Sequence, residues 1–330
     1  MSLRDDLRRA LDGKAKPLGS LGRIEALAVQ LGTLQGTPHP RVEDPVVLVF
    51  AGDHGAVASG VSAYPSAVTA AMVRTYLAGR AAVSLFARQA GARVVVVDAG
   101  VAADLPAHPG LVAAKIGLGT RNWAYGPAMT RDDAEACLRA GAAVVDRLAN
   151  GGCTVLALGE MGIGNTASAA LLAHKAGGLP LDPLIGRGAG LDDAGLARKR
   201  AVAARGAART PARLAPLDAL AEYGGFEIAM LAGAILRAHE RRVCAAVDGV
   251  IVTAAALLAH AMEPACLDAC VFAHRSAEPG HDAMLAHLGA APLLDLGMRL
   301  GEGSGAALAL PLLRAAAAVL SDMAELRDVS

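Results

Sequence analysis

The sequence predicts an α/β fold: a parallel-sheet, Rossmann-like large domain over residues 36–305, and a small helical domain from the chain ends, 1–35 and 306–330. Three observations carry this. Five apolar runs, PVVLVFAGDHG (45–55), ARVVVVDAG (92–100), CTVLALGEMG (153–162), VCAAVDG (243–249) and ACVFAH (269–274), share one layout. Each is continuously apolar, as strands buried on both faces are, and all but the last end in glycine with a polar or charged residue one or two positions before it. Ala/Leu-rich stretches with helical spacing separate the runs, which implies parallel strands with right-handed crossovers. The two chain ends lie outside this alternation. In such a sheet the polar strand ends gather at one edge, where ligands bind.

Each element has its local reason. SAVTAAMVRTYLAGRAAVSLFARQAG (66–91) is helical in period, with Gly79 as a break. TRDDAEACLRAGAAVVDRLANGG (130–152) opens on Thr130 as N-cap and closes on Asn-Gly-Gly. In GRGAGLDDAGLARKR (186–200), Asp192 and Asp193 fit a helix start better than a cation site. The segment 305–326 is strongly helical, so Pro311 must kink it or sit in its first turn.

Composition narrows the function. Lys+Arg and Asp+Glu both number 31, so no global field attracts nucleic acid, and no basic stretch interleaves with aromatics. A small-molecule partner is expected. The first residues, MSLRDDLRRALDG, lack the apolar core of a signal peptide, and no membrane span is expected. The five cysteines, Cys137, Cys153, Cys244, Cys266 and Cys270, form no CxxC pair and read as reduced thiols of a cytoplasmic protein.

The motifs exclude several chemistries. There is no P-loop pattern, no GxGxxG after a strand and no Gly-x-Ser-x-Gly elbow. GEMGIGNTASAA (159–170) still has the parts of an anion site: strand, glycine turn, then a helix from about Ala167. It reads equally as a plain strand-to-helix turn capped by Thr166. His274 and His281 are seven apart and match no zinc spacing. Asp53 and His54 in AGDHG are either catalytic partners or a hydrogen-bonded turn. Glu160 and Glu302 are the carboxylates set in glycine-rich turns. Burial would raise their pKa and suit either to proton exchange, whereas at an exposed turn tip either would be inert.

Eight blocks together carry a family resemblance. KPLGSLGRIE, FAGDHGAVASGVSAYP, GEMGIGNTASAA, GLDDAGLARK, GGFEIAMLAGAI, VDGVIVTAAAL, HRSAEPGH and LGMRLGEGSGAALALPLL run in order from about residue 16 to 314. They resemble the nicotinate-nucleotide–dimethylbenzimidazole phosphoribosyltransferases. The resemblance implies transfer of the 5-phosphoribosyl group of nicotinate mononucleotide to 5,6-dimethylbenzimidazole, giving α-ribazole 5′-phosphate and nicotinate. It implies no metal or other cofactor, and a homodimer. Glu302, in GEGSG, takes the general-base position, with Glu160 beside the same site. Gly162, Gly164, Asn165, Thr166, Lys199 and Ser276 would hold the nucleotide, mostly its phosphate. Asp248, Tyr64 and Pro65 would line the site. Three departures stand out: Ala167 and Ala189 where the family often has Thr, and Ala71 where a Gln near the base pocket is frequent. Ala71 bears on the choice of base. Two alternatives stay open: a same-fold transferase acting on adenine or a phenol, and a non-catalytic nucleotide-binding protein.

Overall fold

The computed structural model describes residues 2–329. Helices α1 (Leu3–Asp12) and α2 (Arg23–Gln35) precede the first strand, β1 (Val46–Gly52). Next come α3 (Ala67–Leu77), α4 (Ala82–Gln89), β2 (Arg93–Gly100), β3 (Leu111–Ala113) and α5 (Arg131–Asn150). The middle of the chain holds β4 (Val155–Met161), α6 (Asn165–Lys175), α7 (Leu181–Leu184), α8 (Asp193–Ala207), α9 (Pro216–Tyr223) and α10 (Phe226–Glu240). The last elements are β5 (Cys244–Val247), α11 (Val250–Met262), β6 (Cys270–Phe272), α12 (His281–His287) and α13 (Ser304–Ser321).

The six strands form one sheet in the order β3-β2-β1-β4-β5-β6, with every pairing parallel. Strand order reverses between β1 and β4, which makes the crevice at their carboxyl ends the expected ligand site. All seven residues of β1 are buried, because alternate side chains enter two different cores. Val46, Leu48 and Phe50 join α5, α6, α10 and α11 on one face. Val47, Val49 and Ala51 join α1, α2, α3, α4 and α13 on the other. The helices of the two chain ends therefore share one core with a sheet face, and the Lys14–Glu325 pair, 2.9 Å apart, ties the ends together.

Several boundaries have clear local causes. Thr130 caps α5 in a box with Asp133, and Asp192 caps α8 through the Gly195 N–H. Gly79, at φ +70°, turns the chain between α3 and α4. Other features differ from the sequence reading. The strand β3 has no counterpart there: it has three residues, sits at the sheet edge and is not buried. Helix α6 starts at Asn165 rather than near Ala167, because Gly164 at φ +93° takes the cap position. Pro311 lies beyond the first turn of an unbroken α13, on its exposed side. By length and composition α13 is apolar enough to cross a membrane. In the fold it packs on α2, α4 and β4, and Arg314 donates to the Ala90 and Gly91 carbonyls.

Helices α5 and α10 meet backbone to backbone. A Cβ on Gly141 would lie 1.9 Å from the Met230 carbonyl oxygen, and one on Gly233 would lie 2.1 Å from that of Leu138. Gly141→Ala should therefore cost about 1–3 kcal/mol by overpacking, read as a lower melting temperature. Gly126→Ala, where a Cβ meets nothing within 4 Å, should leave the melting temperature unchanged.

Candidate active site

A cavity of about 500 Å³ opens at the carboxyl ends of β1, β4 and β5, at the switch point of the sheet. Its two ends differ in charge. Around Glu160 and Glu302 the lining is carboxylates on glycine turns; around Thr166 it is a buried lysine with Arg187, Arg299 and the Glu278 carboxylate.

The acidic end begins with Glu160 near the end of β4. Burial pushes its carboxyl up to about 8, while hydrogen bonds from the Asn165 side chain and the Glu302 backbone restrain the rise. Glu302 lies opposite, in the turn before α13. Its φ is +66°, between Gly301 at +83° and Gly303 at +85°. Left-handed backbone is costly for a residue with a Cβ and must be held by its surroundings. The close fit to β4 supplies that hold. A Cβ on Gly159 would lie 2.5 Å from the Glu302 carbonyl, and one on Gly301 would lie 2.5 Å from Glu160 Oε1.

Asp248 completes the hold. It follows β5 and is fully buried. Its Oδ2 accepts from the Gly303 N–H at 3.1 Å, and its Oδ1 from the Ala306 N–H at 2.9 Å. These are donors that a helix start leaves unsatisfied, and the positive end of α13 favours the charge. His274 Nε2 lies 3.5 Å from Asp248 Oδ1. Burial raises the Asp248 pKa, while His274 and the backbone donors oppose the rise. Burial likewise raises that of Glu302; the phenol of buried Tyr76, beside this carboxylate, works against the rise, and the Asp248 charge adds to it.

The basic end centres on Lys199 of α8, which is 1% exposed. Its ammonium donates to Thr166 Oγ1 at 2.8 Å and to the Gly186 carbonyl at 3.0 Å. Burial brings its pKa down to about 8, while the nearby Glu278 carboxylate acts to raise it. Arg187 and Arg299 also line this part of the cavity. Ser276 is set by His281, whose Nδ1 accepts from the Ser276 N–H at 2.8 Å. The other ring nitrogen pairs with the Thr253 hydroxyl at 2.9 Å, and burial lowers the His281 pKa to about 4. Both nitrogens of this histidine are thus committed to holding the loop.

A strand-end crevice that sets buried carboxylates against a lysine and a helix N-terminus suits a substrate with a cationic centre and a phosphate. The whole chain, residues 1–330, matches a family model described as phosphoribosyltransferase. The chain belongs to this phosphoribosyltransferase family. It is 57% identical over 323 residues to the nicotinate-nucleotide–dimethylbenzimidazole phosphoribosyltransferase of Cupriavidus taiwanensis, covering 98% of this chain and 93% of that one. Identity to the Aromatoleum aromaticum protein of the same name is 55%, covering 96% and 92%. The crystal structure of CobT from Thermus thermophilus superposes with a TM-score of 0.95 at 46% identity, covering 99% of this chain and 98% of that one.

In this phosphoribosyltransferase, most of the residues singled out from sequence come together. Glu302, Glu160, Gly162, Gly164, Asn165, Thr166, Lys199, Ser276 and Tyr64 all line the cavity. Asp248 does not line it; it lies beneath the Glu302 turn. Pro65 is exposed and outside the lining. Ala71 is also exposed, and its neighbour Met72 faces the cavity instead. Sequence reasoning missed Arg187, Glu278 and Arg299, although each sits inside or beside a quoted motif. It also missed Tyr76, which lies in a plain helical stretch without any motif signal.

The raised pKa of Glu160 makes stability depend on pH. The folded protein keeps this proton up to about pH 8, whereas an unfolded chain releases it near 4.5. Between those values the folded state binds more protons, so stability falls as pH rises. Glu160→Gln removes that loss. Its stability relative to the parent should be higher at pH 8 than at pH 5 by a few kcal/mol, on the order of 1.4 per pKa unit, read as a melting-temperature offset that grows with pH. An equal offset at both pH values would contradict the raised pKa.

Proposed function

We propose that the chain transfers the 5-phosphoribosyl group of nicotinate mononucleotide to 5,6-dimethylbenzimidazole, releasing nicotinate and α-ribazole 5′-phosphate. The observation that carries this reading is the two-ended cavity. Lys199, Thr166 and the positive N-terminal end of α6 form the phosphate end. Glu160 and Glu302 form the end where positive charge develops. Val68, Met72 and Leu300 supply an apolar wall suited to a flat aromatic base. The names of the full-length relatives support the same substrates.

The chemistry follows from that geometry. One nitrogen of the benzimidazole attacks the anomeric carbon of the ribose, and the bond from that carbon to the pyridinium nitrogen breaks. The electron pair of the broken bond neutralises the pyridinium, so nicotinate leaves without needing a proton. Glu302 takes the proton from the other benzimidazole nitrogen; its burial raises the carboxylate's basicity for that step. Glu160 faces the oxocarbenium-like charge. A cation beside Glu160 favours its carboxylate form, so substrate binding itself would ionise it. No step runs through a metal.

We also propose a small lobe formed by the segments 1–35 and 306–330. It is supported by the mutual packing of α1, α2 and α13. A homodimer is supported by exposed Leu118 and Tyr125, at 69% and 72%. A cytoplasmic setting is supported by five buried, unpaired cysteines.

With purified protein, nicotinate should appear from nicotinate mononucleotide only when dimethylbenzimidazole is added, and that base should outcompete adenine and phenol. Preference for adenine or phenol would replace the acceptor; release without any acceptor would contradict the transfer. Glu302→Gln should lower kcat by about 10²–10⁴-fold with the KM for nicotinate mononucleotide little changed. Full turnover in that variant would remove Glu302 from the base role.

A further inference from the structure

Under the cavity floor runs a buried polar chain that the transfer chemistry does not use. His54 follows β1 and Glu227 opens α10, and both side chains are fully buried. Nε2 of the imidazole lies 2.6 Å from Glu227 Oε1. On the other side of the ring, Nδ1 lies 3.1 Å from the Ser168 hydroxyl, which accepts from the Trp123 indole N–H at 3.1 Å. An indole nitrogen can only donate, and a serine hydroxyl has one proton to give. Having accepted from Trp123, the hydroxyl still has its own proton to give; with that proton on Nδ1, the ring proton sits on Nε2, aimed at the Glu227 carboxylate, and every proton of the chain has an acceptor. Donors run in one direction, Trp123 to Ser168 to His54 to Glu227.

Glycines make room for this chain. A Cβ on Gly162 would lie 3.2 Å from Glu227 Oε1 and 3.3 Å from His54 Nε2. On Gly225 it would lie 2.4 Å from Glu227 Oε2, and on Gly52 2.9 Å from the same oxygen. A Cβ on Gly164 would lie 2.8 Å from Val57 Cγ2 and 3.7 Å from the His54 Cβ. Gly162 and Gly164 bracket the turn that enters the cavity, and Ser168 belongs to the helix that this turn begins. Glu227 Oε2 has no hydrogen-bond partner. A buried carboxylate with one oxygen unsatisfied is a poor way to pack a core, and an apolar pair would cost less.

We propose that His54 and Glu227 form a positioning pair for the transfer reaction, in which the imidazole, held in one tautomer by Ser168, ties the end of β1 to α10 and α6 and so fixes the Gly162–Asn165 turn against the ribosyl group. This rests on the transfer reading above. A misplacement of that turn by about 1 Å would cost about 100-fold in rate while leaving most binding contacts in place.

The test compares His54→Ala, His54→Gln and Ser168→Ala with the parent. Glutamine offers an acceptor for Ser168 and a donor for Glu227 in one side chain, so it reproduces the pattern of the tautomer. His54→Ala should lose about 100-fold in kcat with the KM for nicotinate mononucleotide nearly unchanged. His54→Gln should recover most of that loss, and Ser168→Ala should lower kcat without raising KM. Unchanged kcat in the Ala variants, a loss confined to KM, or glutamine no better than alanine would each overturn the proposal. If His54→Ala does not fold, the glutamine and Ser168 variants decide by the same criteria. Ring-nitrogen NMR of His54 in the parent should show the proton on Nε2, and a proton on Nδ1 would overturn the pair. If the parent protein releases no nicotinate at all, the transfer reading fails, and the NMR result still judges the pair.

Discussion

The hydrogen bonds from the Gly303 and Ala306 amides to Asp248 hold the acidic half of the site in place. A helix starting inside a protein must satisfy its free N–H groups, and a non-glycine residue at φ +66° must be held against its own steric preference. One buried carboxylate meets both needs. It sits directly after β5, so the rigid sheet edge sets the direction of the Glu302 turn. The charge of Asp248 also acts on the residues it positions: it raises the pKa of both Glu160 and Glu302. Removing this one carboxylate would free the turn and change the basicity of the groups on it.

Close backbone approach is the second constraint. Gly159 lets the Glu302 turn lie against β4, Gly301 clears the Glu160 carboxylate, and Gly162 clears both Glu227 and the end of β1. The glycines that look wasteful in the sequence thus allow four carboxylates, Glu160, Glu227, Asp248 and Glu302, to share one buried region. The basic end is arranged differently. Lys199 reaches the cavity from α8, and Glu278 nearby offsets part of its burial. The acidic and basic groups meet at the start of α6, where the Asn165 side chain donates to Glu160 and the Thr166 hydroxyl accepts from Lys199.

The sequence revealed what is local and hid what is not. β1, β2, β4, β5 and β6 were legible because two-sided burial demands unbroken apolar runs. β3 was not, since a three-residue edge strand needs no such run. Thr130 and Asp192 were legible as caps because their acceptors serve amides three residues on. The start of α6 shifted because a left-handed glycine displaced Thr166 from the cap position. Glu160 and Glu302 stood out as charges among glycines, and the family motif added the expectation of a catalytic role. Asp248 could be placed near the site but not understood, since its partner amides lie 55 and 58 residues away. Glu227 meets His54 across 173 residues, and Lys199 lies in a basic cluster, ARKR, that reads as surface.

The polarity of the cavity governs the proposed chemistry: carboxylates at the base and anomeric carbon, lysine and the N-terminal end of α6 at the phosphate. A crystal structure with α-ribazole 5′-phosphate bound tests it most directly. A benzimidazole nitrogen should lie within hydrogen-bond reach of Glu302, with the phosphate on Lys199, Thr166 and the start of α6, and Glu302 should stay left-handed under its clamp from Asp248. A nucleotide bound the other way round, with its phosphate beside Glu160 and Glu302, would contradict that polarity.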